Sequence, residues 1–271
     1  MNTILTLSSF IFPLITFPYV SRILLPEGTG RVSFATSVVS YFLMLSQLGI
    51  PTYGIRACAK VRDDRRKLSR VVHELMAINL VMSLLSYLAL GIFVFAIPRL
   101  RAQSSLIFII SLTILLNAVG MEWLYKALEQ YTYITIRSVI FKAIAVVAML
   151  LLIRQQSDYV VYGALTILAA SASNVCNFVH AHTYIDLFPE EKYNYRQHMK
   201  PILVFFAMSC ATVIYTNLDT VMLGLMKNNV DVGYYNAAVK IKGILVGIVT
   251  SLGTVMLPRL SYYVERGEME E

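Results

Sequence analysis

Four charged residues stand inside otherwise apolar sequence. Arg22 lies near the end of the first apolar run, Asp219 lies within the seventh, and Lys240 and Lys242 lie within the eighth. An ionisable group held in an apolar medium is costly and is retained there chiefly for a function. Asp219 precedes the end of its run by about eight residues, which on a helix is roughly 12 Å of depth. Lys240 and Lys242 lie about seven and nine residues into the next run, so they reach matching depth across a hairpin. Two positions apart on a helix, the lysines point about 200° from one another, and at most one can face Asp219 closely. The pairing is either a structural ion pair or part of a proton- or cation-sensitive switch. Arg22 is either a snorkelling interfacial arginine or a cation directed inward. Lys142, about five residues inside its own run, is expected to snorkel to the nearer surface.

Amides form a second constellation. Asn174, Asn177 and His180 recur every three residues and make one polar stripe, with Ser171 and Ser173 beside it. Ser33, Thr36, Ser37, Ser40 and Gln47 share one face of an earlier run, and Asn79 and Asn117 add single amides. Such groups either line a wet cavity or hydrogen-bond between packed helices. His180 and His182 are two apart and point to opposite sides, unlike a metal pair at i, i+4. Cys58, Cys176 and Cys210 are well separated and read as inert thiols. GxxxxGK[ST], GxSxG and HExxH are all missing, so the sequence supports neither an ATP motor nor a hydrolase. No enzyme, metal or cofactor is expected.

The elements that position these groups are eight apolar runs, at 3–24, 33–55, 74–97, 105–124, 138–153, 159–182, 201–226 and 234–257. A hydrocarbon core about 30 Å thick takes about 20 helical residues, and only helices or closed barrels satisfy their own backbone in it. The runs lack the alternation of barrel strands. The fold class is therefore an all-α integral membrane protein with about eight transmembrane helices. Composition agrees: 57% of residues are hydrophobic, 14% are charged and the mean hydropathy is +0.65. Soluble domains carry about 25% charge.

The net charge of +7 is concentrated at 56–70, a short basic segment beside a span. That marks a cytoplasmic loop rather than a nucleic-acid surface. Alternating from there places 56–73, 125–137, 183–200 and the tail from Pro258 inside, with Lys126 and Arg137 counted as loop residues. Those segments hold more than twice as many Lys and Arg as the outer turns. Both ends are then cytoplasmic. Trp123, Tyr125, Tyr131, Tyr159, Tyr162, Tyr234, Tyr235, Tyr262 and Tyr263 fall near span ends, as interfacial belts require. The first span, with Pro13 and Pro18 and no basic n-region, does not read as a cleaved signal peptide.

Two regions about 200 residues apart repeat one pattern. Each has a charged residue in the outer part of a span (Arg22, Asp219), a short turn, a glycine (Gly30, Gly233) and a small-residue helix start. Parallel repeats of six helices are one way to build a transporter. On that reading 1–200 is a six-helix lobe, and 201–271 is the first hairpin of a second, incomplete lobe.

Pro18-Tyr-Val-Ser-Arg22-Ile-Leu-Leu-Pro-Glu-Gly28-Thr-Gly30 resembles the end of the first helix in bacterial oligosaccharide (Wzx-type, O-antigen) flippases. Ile214-Tyr-Thr-Asn-Leu-Asp219-Thr-Val-Met-Leu-Gly224 and Val232-Gly-Tyr-Tyr-Asn-Ala-Ala-Val-Lys240 are similar to that family's seventh and eighth helices. Leu257-Pro-Arg-Leu-Ser261 matches as well. The resemblance is collinear along the chain. It implies a MATE-like bundle in the bacterial cytoplasmic membrane that moves a polyprenyl-pyrophosphate-linked glycan between leaflets. It also implies that membrane lipids and other envelope-polysaccharide proteins, such as a glycan polymerase, are partners, and that nucleic acid is not. Family members have twelve or fourteen helices, so this chain is expected to be truncated after the eighth. Within the same superfamily a cation-coupled multidrug exporter is the alternative, and a non-transporting remnant is another. A wet passage for the headgroup needs hydroxyls, amides and aromatics for sugar and Arg or Lys for diphosphate. The candidates are Arg22, Gln47, Asn174, Asn177, His180, Asp219 and Lys240, with Arg22 and Lys240 meeting the diphosphate.

Overall fold

The computed structural model describes residues 2–186, 193–243 and 245–247, with side chains from Phe12 onward. The end of the eighth apolar run, Tyr262, Tyr263, the match at 257–261 and the tail from Pro258 lie outside the described residues. Secondary structure among the described residues is helical: α1 (Asn2–Gln47), α2 (Ile50–Ala59), α3 (Arg65–Ala96), α4 (Pro98–Arg101), α5 (Ser104–Gly120) and α6 (Glu122–Ala127). Then come α7 (Tyr131–Leu152), α8 (Tyr159–Ile167), a π turn (Leu168–Ala172), α9 (Asn174–His180), α10 (Arg196–Met226) and α11 (229–243). Five of these stretches are long and apolar enough to cross a membrane, and Ser104–Gly120 is a shorter apolar helix.

α1 is two arms. Leu25 adopts φ 56°, ψ 176° and breaks it. The residue before a proline is pushed towards extended ψ, and Pro26 then suits the first turn of the second arm. The arms run in opposite directions. Phe12 lies near Lys142, and the Tyr19 hydroxyl donates to the carbonyls of Leu150 and Ile153 at 3.1 and 3.0 Å, so the first arm climbs beside α7. Phe34 packs on Gly224 and Gly49 packs on Phe205 and Phe206, so the second arm descends beside α10. Equivalent pairs set the remaining directions. Tyr87 with Ser111 and Asn79 with Ala118 make α3 and α5 antiparallel, and Arg137 with Ser173 and Tyr133 with Cys176 do the same for α7 and α9. The result is an up-and-down bundle with one basic end, around 56–67, and an opposite end of tight turns.

The bundle is packed for lipid. Along α3, Leu80, Leu84, Leu88 and Ile92 recur every four residues and are 53–68% exposed, while Asn79, Ser83 and Ser86 are buried. Lipid tails impose no penalty on exposed leucine, so small and polar residues take the helix contacts. Two apolar clusters remain inside. One surrounds Leu24, Phe34, Val94 and Ile107, and the other surrounds Ile50, Leu75, Leu124 and Ile202.

The turns at Gly30 and Gly233 touch one another. A Cβ on Gly30 would collide with the backbones of Asn229 and Gly233, and one on Gly233 would collide with the backbone of Pro26. The two turns meet main chain to main chain.

Several sequence expectations are corrected. α3 begins at Arg65, well before the apolar run at 74, because Asp64 caps it by accepting from the backbone N–H groups of Arg66 and Lys67. The basic loop is thereby reduced to 60–64. The fourth run is cut at Met121, whose φ of 40° ends α5. Arg137 is not a loop residue but lies in α7, buried. Trp123, Tyr125 and Tyr162 are buried inside the bundle instead of forming an interfacial belt.

Candidate functional site

Among the described residues, three hollows adjoin the candidate side chains. The first, ≈260 Å³, opens between the first arm of α1, α7, α8 and α11. Its chemistry comes from Lys142 and Lys240 together with Phe12, Phe17, Tyr162 and Thr166. Lys240 Nζ lies 4.4 Å from the Phe17 ring centroid and donates to the Tyr162 hydroxyl at 3.5 Å, and Lys142 Nζ lies 5.9 Å from the Phe12 ring. Aromatic faces stabilise ammonium groups where few anions are present. Lys142 therefore faces a cleft and does not simply snorkel.

The second hollow, ≈380 Å³, lies where α1 breaks and meets α10, with Gln47, Thr52, Phe205 and Ser209 on its walls. The break is at Leu48 and Gly49, with φ of 44° and 76°, and Pro51 restarts the helix as α2. A third, ≈170 Å³, adjoins it, sharing Gln47 and Pro51, and is lined also by Asn117, Glu122, Trp123, Lys126 and Asn174.

The amide stripe divides between packing and cavity. Asn177 is fully buried, its side-chain amide donating to the Gly120 carbonyl at 2.6 Å, while its backbone carbonyl accepts from the Tyr125 hydroxyl at 2.6 Å. Asn174 donates to Asn117 Oδ1 at 3.2 Å and borders the ≈170 Å³ hollow. Its side chain lies flat on Gly120, where a Cβ would stand 2.6 Å from Asn174 Cγ. His180 stacks on Tyr133 at a centroid separation of 4.7 Å and lies 6.0 Å from Tyr125, in one aromatic cluster away from the three hollows. The π turn itself carries Ala169 and Ala170 on the lysine cleft and is followed by Asn174 on the polar hollow. Such turns are frequent at functional sites.

The structure does not bring Asp219 and Lys240 together. Asp219 accepts from the Tyr235 hydroxyl at 2.7 Å and is exposed, while Lys240 turns to Phe17 and Tyr162. Arg22 is exposed and has no ion-pair partner among the described residues.

The polysaccharide biosynthesis protein family matches residues 1–264. The chain belongs to this family. Two relatives both bear the name "Putative O-antigen transporter". The one from Escherichia coli (strain K12) is 22% identical over 257 residues, covering 94% of this chain and 62% of the relative. The one from Shigella dysenteriae is 26% identical over 266 residues, covering 94% and 64%. The chain thus spans under two thirds of the length of these relatives. No solved structure matches it. Membership, with the apolar helices, makes it a multi-pass membrane protein.

Sequence reasoning missed two buried ionic groups in this family member. Glu74, with no exposure, accepts from Arg70 Nε (3.0 Å), Gln197 Nε2 (2.9 Å), His198 Nε2 (2.6 Å) and the Asn194 backbone N–H. His198 Nδ1 in turn lies 2.8 Å from the Tyr53 hydroxyl. The i, i+4 spacing of Arg70 and Glu74 is visible in sequence, but the pairing across 124 positions is not. Arg137, 6% exposed, donates to the Ser173 carbonyl at 2.8 Å and stands 3.9 Å from Glu122.

Proposed function

We propose that the protein acts in moving polyprenyl-pyrophosphate-linked oligosaccharide units across the bacterial cytoplasmic membrane for cell-surface polysaccharide synthesis, with both ends cytoplasmic. In this reading 1–200 is one lobe and 201–271 opens a second, and a glycan polymerase is among the partners. The observation that carries it is the joint presence of Lys142 and Lys240 on one aromatic-lined cleft in a member of the polysaccharide biosynthesis protein family. A diphosphate cannot enter hydrocarbon without a compensating charge, and two ammonium groups on one wall supply it. Arg22, at the end of the first arm, is a further cation on the headgroup's route. A cation-coupled drug exporter is the weaker reading, because two lysines in a cleft repel a cationic cargo.

The test is export of surface polysaccharide in cells lacking their own O-antigen transporter, complemented with this protein and, in parallel, with the Escherichia coli relative. Restored surface glycan supports the reading. Rescue by the relative alone, with this protein inserted in the membrane, overturns it.

A further inference from the structure

The ≈170 Å³ hollow differs in chemistry from the lysine cleft. It gathers three amides, a carboxylate, an ammonium and an indole within one wall set. Glu122 lies 2.7 Å from Lys126 and 3.9 Å from Arg137, so the carboxylate is flanked by cations and the hollow carries no large excess of either sign. The Gln47 side chain forms no hydrogen bond with another described residue and borders two hollows at once. The Asn117 amide is committed to Thr113, Ser171 and Asn174, so it orients Asn174 rather than binding. Trp123 is clamped on Gly54, where a Cβ would stand 2.8 Å from its ring.

We propose that this hollow is a sugar subsite that seats one ring of the glycan beside Trp123, with hydroxyls paired to Gln47, Asn174 and Glu122. The assignment rests on the reading of the protein as a glycan-lipid carrier and adds where the sugar is held. An anionic phosphate is disfavoured beside Glu122, and a cation is disfavoured beside Lys126 and Arg137. A neutral polyol meets neither objection. It offers paired donors and acceptors to amides and a charge-flanked carboxylate, and an apolar ring face to an indole. The adjoining ≈380 Å³ hollow, reached past Gln47 and Pro51, leaves room for the rest of the chain of sugars.

Trp123 is the only tryptophan in the sequence, so within this protein the indole emission, excited beyond the tyrosine absorption band, reports on this wall alone. Purified protein in lipid nanodiscs is titrated with free hexoses, N-acetylhexosamines and short oligosaccharides that bear neither lipid nor phosphate. Expected is a saturable shift in emission with at least one sugar, about tenfold weaker in Glu122→Gln and in Gln47→Ala. Inorganic pyrophosphate should give no shift. Silence towards the whole panel in the wild-type protein overturns the proposal, as do variants that melt normally and titrate like wild type. The two readings separate cleanly. A protein that exports glycan but whose emission ignores sugars loses the subsite alone. One that responds to sugars but never exports keeps the subsite and loses the transport reading.

Discussion

His198 Nε2 stands 2.6 Å from Glu74 Oε2, joining α10 to α3 at the basic end across 124 positions of sequence. With the proton on Nε2, Nδ1 accepts from the Tyr53 hydroxyl, so α2 is tied into the same knot. Removing the carboxylate leaves His198, itself buried, without its acceptor and takes one acceptor each from Arg70 and Gln197 nearer the surface. Glu74→Ala should therefore cost about 1–3 kcal/mol. Thermal unfolding in nanodiscs measures it, and a variant as stable as wild type would show the knot to be idle.

The turn contact gives a second expectation. Gly30→Ala and Gly233→Ala each drive a methyl group into main chain, with no side chain there able to step aside. Overpacking of this kind costs about 1–3 kcal/mol or more. Both should lower the melting temperature, whereas Gly91→Ala, where a Cβ meets nothing, should not.

Asp64 carries a pH dependence. The Lys67 ammonium hydrogen bond, followed by the backbone N–H groups of Lys67 and Arg66, holds its carboxyl below the ordinary value of 3.8. A carboxylate depressed in the folded state stabilises the fold above its unfolded value and loses that contribution as pH falls through the folded value. Asp64→Ala should melt earlier than wild type at neutral pH, and the gap should narrow as the pH is taken below 3.8. A gap that stays constant would remove the charge from the cap's contribution.

In the export assay Lys240→Ala and Lys142→Ala should each lower surface glycan about tenfold or more while leaving membrane insertion intact, as loss of a charged contact to phosphate requires. Arg22→Ala should lower it too. Wild-type export by all three variants would refute the phosphate contacts.

Asp219 and Tyr235 share one hydrogen bond, so their variants separate structure from switching. Tyr235→Phe should keep export and Asp219→Ala should lose it. Equal effects would reduce Asp219 to a brace.

The helical class was legible because a membrane imposes length, and the two glycine turns stood out because a charged residue, a short turn and a glycine recur in the same order, though nothing in the sequence said that they touch. The lysine cleft was half legible. Lys240 stood out by depth, but Lys142 lay close enough to a surface that only the position of Phe12 shows which way it faces. Helix starts were misjudged wherever polar residues begin them. α3 takes its first turns from Arg65, Arg66 and Lys67 under an aspartate cap, so Glu74 is embedded and not terminal. The same applies to Arg137 in α7. Direction around the axis was the other gap, since spacing put Asn174, Asn177 and His180 on one stripe without saying which of them borders a void. Contact with Gly120 and Tyr125 decides that, and both are distant in sequence.

Where main chain rests on main chain at Gly30 and Gly233, no rotamer is available to absorb a displacement. Any tilt of the α10–α11 pair against the preceding helices must turn about that point like a lever on its fulcrum. Travel then grows with distance from it and is greatest at the far end, where Glu74 grips His198.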